Sequence, residues 1–464
     1  MTIVHAPRPV AAQAGTAAPR RAAFWLLALV LTTTMLGTTL PTPLYVIYQA
    51  RWHFSAAVVT VTFAVYAAAV IATLLVAGRS SDQAGRKPVL AVALGASAVS
   101  TVVFILAPDV GALIAARIVS GLSAGLMTGT ATATLTELAP AGAHRRASLV
   151  ATAANMAGLG LGPLVAGLLA QFAPDPTTLV FEVYLAVLAV AGLVLLLVPE
   201  TVRTRTRPAL RFAGLGIPER GRGEFVAAGV AAFAAFALLG LFSSLVPGFL
   251  AGQLHQSSHA VQGGVVFLLL AVGAITQVAL SRFNRSRVIL AGLSLFLVAL
   301  ALIVTALAQS AMILFLAGTV VGGVAVGAVF LGSLQTANEL APAERRGHVL
   351  SAFFVACYAG LIIPVVGVGV LSEFTGTFAA VLTFSVLLAA LCLFSIGRLA
   401  GSVAGRVRSQ GEDTVPTGIL ADQAALYGVL ARIEALGLEL VEVRRESPGG
   451  VTPAHPDDRQ AEPS

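Results

Sequence analysis

Charge is scarce in this sequence. Of its 464 residues, 11% are Asp, Glu, Lys or Arg, and Lys87 is the single lysine. An average soluble domain is about a quarter charged. Cysteine is nearly absent as well. The two present, Cys357 and Cys392, sit in apolar runs, which leaves no disulfide framework and no metal-ligand spacing. There is no HExxH pair, and the seven histidines are scattered along the chain. Pro88 follows Lys87, so no Walker A nucleotide loop exists. With no catalytic, metal or cofactor constellation, an enzyme is not expected and no cofactor is expected. What the chain has in abundance is carbon. Residues of the AVILMFWYC set make up 57%, which leaves too little polar surface to coat a soluble globule of this size. Soluble enzymes, nucleic-acid binders and disordered scaffolds are poor fits.

Twelve apolar stretches can cross about 30 Å of hydrocarbon as helices of roughly 20 residues. They lie at 22–44, 58–78, 88–107, 111–135, 147–171, 178–199, 225–247, 262–281, 288–307, 311–336, 349–370 and 376–397. A backbone in lipid must satisfy itself, so these are helices. Within them only Arg117 and Glu182 are charged. With the N-terminus inside, the connections facing the cytoplasm carry sixteen Lys and Arg, and those facing outward carry one, Arg51. That bias sets both termini in the cytoplasm. It also explains the net charge of +7: the basic face meets anionic headgroups of the bilayer, and no nucleic acid is needed. One lysine among 28 basic residues is a compositional sign of a high-GC bacterial genome, which places the chain in a bacterial plasma membrane.

The expected division is a cytoplasmic N-terminal tail 1–21, a six-helix bundle 22–199, a central loop 200–224, a second bundle 225–397 and a cytoplasmic tail 398–464. Within the tail, 420–435 has helical periodicity, LGLELVEVRR alternates like a short strand, and 409–416 and 446–464 read as disordered. Internal repetition supports the two bundles. Gly121 and Gly125 map onto Gly323 and Gly327, and Glu137-Leu138-Ala139-Pro140 onto Glu339-Leu340-Ala341-Pro342, at an offset of 202. Pro43 and Gln49 match Pro247 and Gln253 at an offset of 204. A duplicated half of this kind is a transporter architecture, with a site near the midplane between halves.

After span 2 the chain reads GRSSDQAGRKPVL. Gly78 and Gly85 permit close approach and a tight turn, and Asp82, Arg86 and Lys87 form a compact charged cluster. An ordinary basic loop explains the cations but not Asp82 between spaced glycines. The stretch resembles the loop 2–3 motif of the major facilitator superfamily. That resemblance implies an all-α polytopic fold of two pseudo-symmetric six-helix bundles working by alternating access. It also implies that Asp82 docks near the start of span 11, around Val349, while the cytoplasmic side is shut. Ser80 and Gln83 stand where the family prefers Leu and Arg, so an internal Asp–Arg relay falls to Arg86 or another partner.

Span 4 carries Arg117, Gly121 and Gly125 at four-residue spacing, and small residues there let helices touch. The superfamily has a similar Arg-then-Gly motif whose arginine is associated with proton coupling; the alternative is an arginine snorkelling to water. Gly158, Gly162 and Pro163 in span 5 resemble the antiporter motif of exporters, with Ala166 replacing one of its glycines. Glu182, the only acid in a span, is a second candidate for proton coupling, against an acid resting at the outer interface. Thr34, Thr38, Tyr66, Asn155, Ser243, Ser244, Gln277, Gln335, Asn338 and Tyr358 are candidate cavity residues; singly, each also suits an interhelical hydrogen bond. Together they describe an uncharged, largely apolar path. The expectation is a monomeric, proton-coupled exporter of small lipophilic compounds such as drugs. The alternatives are an uptake symporter or facilitator for an organic solute, then a non-transporting sensor or a polytopic membrane enzyme.

Overall fold

A computed structural model describes residues 17–77, 80–140, 142–202, 214–342 and 345–411. Those residues form fifteen helices and no strand. They are α1 (Ala17–Thr39), α2 (Tyr45–Trp52), α3 (Ala56–Ala77), α4 (Ser80–Ala84), α5 (Arg86–Ile105), α6 (Val110–Leu138), α7 (His144–Phe172) and α8 (Leu179–Leu196), followed by α9 (Arg222–Ser244), α10 (Val246–Gly252), α11 (His259–Leu280), α12 (Arg285–Ala308), α13 (Met312–Leu340), α14 (Arg346–Thr375) and α15 (Thr377–Gly411). Twelve are long and apolar enough to cross a membrane; the short helices α2, α4 and α10 are the others. By contacts the chain divides into Met1–Arg406 and Val407–Ser464, and the described part of the second unit is the end of α15. The expected tail helix and strand fall outside the described residues. Residues 409–411, expected in a disordered stretch, belong to α15, because no proline interrupts the chain between Thr377 and Gly411.

Two spans end earlier than expected, at prolines. The first, expected over 22–44, stops at Thr39, and the seventh, expected over 225–247, stops at Ser244. Prolines at 41, 43 and 247 lack the N–H a helix interior needs. The chain turns at each place and starts a new short helix, α2 after α1 and α10 after α9. The matching of Pro43 with Pro247 is therefore the repetition of a break.

Helix packing repeats across the chain. In the first six spans α1 packs on α7, α3 on α6 and α5 on α6; in the last six, α9 packs on α14, α11 on α13 and α12 on α13. The proline inside α7, Pro163, has a counterpart inside α14, Pro364. Between the halves, α7 crosses α11 and α3 crosses α14. Exchanging the halves turns one crossing into the other.

Consecutive long helices alternate in direction, so the starts of α5, α7, α9, α12 and α14 share one face. It is the basic face, because those helix starts carry arginine at 86, 146, 222, 285 and 346. The halves meet toward the opposite face. Gly263 of α11 lies against the backbone of Pro163 and Gly167, where no side chain fits, and Gly369 of α14 lies against Thr60. The three hydrogen bonds that described residues form between the halves are there too. Thr42 Oγ1 donates to the Ser243 carbonyl (3.1 Å), the Ala57 N–H to Glu373 Oε1 (3.3 Å) and the His259 N–H to Gln171 Oε1 (2.9 Å).

Candidate functional site

Three groups of side chains carry the chemistry. The first sits on the basic face. Gly85, at a φ of 104°, lets the chain turn from α4 into α5, a conformation costly for a residue with a Cβ. The turn sets Arg86 as the first residue of α5. Its guanidinium meets Asp82 (2.5 Å), Ser81 Oγ (2.7 Å) and, across the bundle, Glu137 at the end of α6 (2.7 Å). The relay open to Arg86 or another partner is thus made by Arg86, and the loop around Asp82 is a short helix. Gly78 lies outside the described residues.

Glu200, just beyond α8, completes the cluster. Its carboxylate accepts the N–H groups of Arg86 (2.9 Å) and Lys87 (3.2 Å) at the positive end of the α5 dipole, and those of Thr201 and Val202. Burial raises the pKa of this carboxyl, but the four backbone N–H groups outweigh it and hold the group below its ordinary range. Lys87 Nζ donates to the Leu196 carbonyl (2.7 Å), tying α5 to the end of α8. Sequence reasoning did not single out Glu200. The signal was available as an acid closing span 6 on the face of the motif.

The expected contact of Asp82 with the start of span 11 is not made in this conformation. Asp82 pairs with Arg86, and Val349 is buried among Phe225, Phe330 and Phe353. The cause is the closure just described: the halves are joined toward the opposite face. What lies on the start of α14 is the central connection, whose Gly216 N–H donates to the His348 carbonyl (3.1 Å).

The second group surrounds Arg117. Its exposure is 0%, which removes the snorkelling alternative. Nη1 donates to the Thr38 carbonyl (2.5 Å), and the guanidinium carbon lies 4.6 Å from the Tyr66 ring centroid, 5.7 Å from Phe63 and 5.9 Å from Tyr45. Nε and Nη2 have no partner among the described residues. The cation is held by ring faces and one carbonyl, and no acid faces it among the described ion pairs. Glu182 stands apart, exposed in the first turn of α8.

The third group lines a small pocket between the halves: Met156 from α7, then Phe236, Leu239, Leu269, Leu270, Gly273, Gln277, Val326 and Phe330. Of the ten polar residues expected to line a path, Gln277 lies here. Tyr358 stands beside it, its ring 5.9 Å from that of Phe236. Five of the rest bond within their own half. Thr34 donates to the Val30 carbonyl, Thr38 to Met35, Ser244 to Gly240 and Asn338 to Leu334, and Asn155 donates to Thr128 Oγ1 (3.3 Å). Ser243 offers its carbonyl to Thr42, Tyr66 faces Arg117, and Gln335 is half-buried on α13. The sequence did not distinguish Met156, Phe236 and Phe330 from the apolar runs that hold them.

The glycine pairs hold these groups at helical contact distance. A Cβ on Gly121 or Gly125 would collide with Tyr66 or Thr73 of α3, and one on Gly158 or Gly162 with Thr32 or Leu36 of α1. Among the described residues no group of three His, Cys, Asp or Glu side chains is placed to hold a metal ion.

Residues 27–364 match the profile of the Major Facilitator Superfamily. The chain belongs to the Major Facilitator Superfamily. A second profile, a domain of unknown function (DUF8691), matches residues 399–444. No curated protein sequence matches the chain. Among solved structures, it is similar to a bacterial homolog of the human lysosomal transporter Spinster in an inward-facing, unoccupied conformation. That likeness has a TM-score of 0.66 at 16% identity and covers 83% of this chain and 98% of that one. The human organic anion transporter MFSD10 (TETRAN) follows at a TM-score of 0.60 and 20% identity, covering 82% and 99%. The nucleoside transporter NupG aligns at a TM-score of 0.65 and 13% identity, covering 81% and 99%. At these identities the likeness is one of fold, and the fold is that of a membrane transporter.

Proposed function

We propose that this chain is a secondary active exporter that moves small lipophilic compounds out of a bacterial cell in exchange for protons. It acts as a monomer in the plasma membrane, with both termini in the cytoplasm. The observation that carries the reading is the pocket between the halves, lined by carbon with the Gln277 amide as its polar group. A site of that kind rewards apolar area and one hydrogen bond. MFSD10 carries organic anions and NupG nucleosides. No charged side chain is among the residues that line this pocket, which favours an uncharged solute here.

The closure toward the opposite face supports alternating access. In this reading the pocket opens toward the basic face, the cytoplasmic one, because the halves meet toward the opposite one. Rocking the halves about the α7–α11 and α3–α14 crossings closes the basic face and brings Asp82 to the start of α14. A carboxylate at a helix N-terminus is favourable by about 0.3–1 kcal/mol, and up to about 2 when partly buried. Arg117, which no acid faces among the described ion pairs, holds a fixed positive charge beside Tyr45 and Tyr66, where a proton entering the first half is repelled until the cage rearranges.

Cells expressing the protein should accumulate less of a neutral lipophilic dye than control cells, and a protonophore should abolish the difference. Greater accumulation would replace export by uptake. No difference across compound classes would remove the transport reading. Phe236→Ala removes a ring from the pocket wall. Losing about 1.5–3 kcal/mol of burial should raise KM roughly tenfold or more, read as dye transport in membrane vesicles.

A further inference from the structure

The segment from Gly214 to Ile217, in the connection before α9, lies along the start of α14. Gly216 donates its N–H to the His348 carbonyl (3.1 Å). Both glycines face His348. A Cβ on Gly216 would come within 3.1 Å of the His348 Cβ, and one on Gly214 within 3.5 Å of the ring. With the glycines turned inward, the residues beside them turn out: Leu215 is 52% exposed and Ile217 49%. Pro218, next in line, is buried. The segment is thus pinned to α14 by its backbone while it displays two large apolar side chains.

These side chains are not on a membrane-crossing helix, where lipid tails would cover them. They sit on the basic face among Arg220, Arg222, Arg345 and Arg346, all exposed. The acid of the group, Glu219, is engaged by Arg345 (3.3 Å). A leucine and an isoleucine rimmed by guanidinium groups match one surface in both chemistry and depth. Carbon enters the boundary between headgroups and acyl chains, and arginines meet phosphate oxygens. We propose that Leu215 and Ile217 anchor the central connection in a leaflet of anionic lipid, which fixes the start of α14 to the membrane surface. The anchor rests on the chain spanning a bilayer and is independent of what it transports or in which direction.

The test uses the full-length protein with Trp25→Phe and Trp52→Phe, so that Leu215→Trp supplies the only indole, in vesicles of phosphatidylglycerol or phosphatidylcholine brominated along the acyl chains. The anchor requires blue-shifted emission and quenching at least roughly twofold stronger in brominated phosphatidylglycerol. That excess should fall when Arg220→Gln and Arg222→Gln are added, and in high salt. Ile217→Trp repeats the measurement should Leu215→Trp fold poorly. Solvent-like emission in both lipids overturns the proposal. So does equal quenching in both, which would be apolar contact without charge recognition. Blue-shifted emission that bromine does not quench also overturns it, because a protein surface would then cover the segment. Fluorescence needs no turnover, so loss of dye transport with quenching intact counts against the export reading alone.

Discussion

Two clusters of charge on the basic face are built from the same parts and finished differently. In the first half, Arg86 at the start of α5 meets Glu137 at the end of α6. In the second, Arg285 at the start of α12 meets Glu339 at the end of α13 (3.0 Å). The third member separates them. In the first cluster it is Asp82, on a five-residue helix, with its side chain 55% exposed. In the second it is Glu224, on the long helix α9, 9% exposed and 3.4 Å from Arg285. The caps differ as well: α12 is capped by its own Asn284, and α5 by Glu200 from beyond α8. A solvated carboxylate on a short helix changes partners at little cost, whereas a pair with both members about nine-tenths buried does not. The first cluster is built to let go and the second to hold.

Removing the arginine from each cluster presses hardest on this contrast. Arg285→Ala breaks the buried pair with Glu224 and should destabilise by about 3 kcal/mol, the scale of a broken buried pair. Abundance in the membrane and the thermal midpoint in detergent should both drop. Arg86→Ala should cost clearly less stability, because Asp82 and Glu137 retain water. Equal losses would erase the distinction between holding and releasing. Asp82→Asn is the sharper cut. The thermal midpoint should stay within a degree or two of the parent, since exposed pairs contribute about 1 kcal/mol or less, while transport falls about tenfold with the lost helix-end contact.

The smallest effect concerns the cap. The Glu200 carboxyl is held below its ordinary value of 4.5 by backbone N–H groups. Its contribution is therefore fully present above pH 4.5 and is lost as pH falls through the lowered value. Glu200→Gln should reduce stability at neutral pH by about 1 kcal/mol or less, and the gap from the parent should narrow in acid. A gap that widens in acid would assign the cap the wrong sign.

Much of this was legible in the sequence, because the bilayer imposes its thickness on the chain. Twelve runs of carbon, the repeated Glu-Leu-Ala-Pro and the Asp82–Arg86 spacing each reflect a local or periodic demand. Contacts that depend on residues remote in sequence were not legible. Phe63 and Tyr45 give no sign that they close over Arg117, which lies in another span. Phe236 and Phe330 read as ordinary carbon until α9 and α13 are packed. Pro364 repeats Pro163, but the letters around it drifted too far for the match to show. Gly214 and Gly216 lie unmarked in the central loop, and their fit against His348 appears only once α14 is in place.

Alternating access requires the basic face to part and close while the opposite face does the reverse. Spin labels at Ala84→Cys and Gly347→Cys report the first, and a second pair at Ser55→Cys and Thr375→Cys reports the other; Cys357 and Cys392 are buried. Pulsed dipolar distances in proteoliposomes, with and without a proton gradient and substrate, should show the 84–347 distance shortening as the 55–375 distance lengthens. Asp82→Asn should deplete the short 84–347 population. Distances that stay fixed in both pairs, or that lengthen and shorten together, would contradict it.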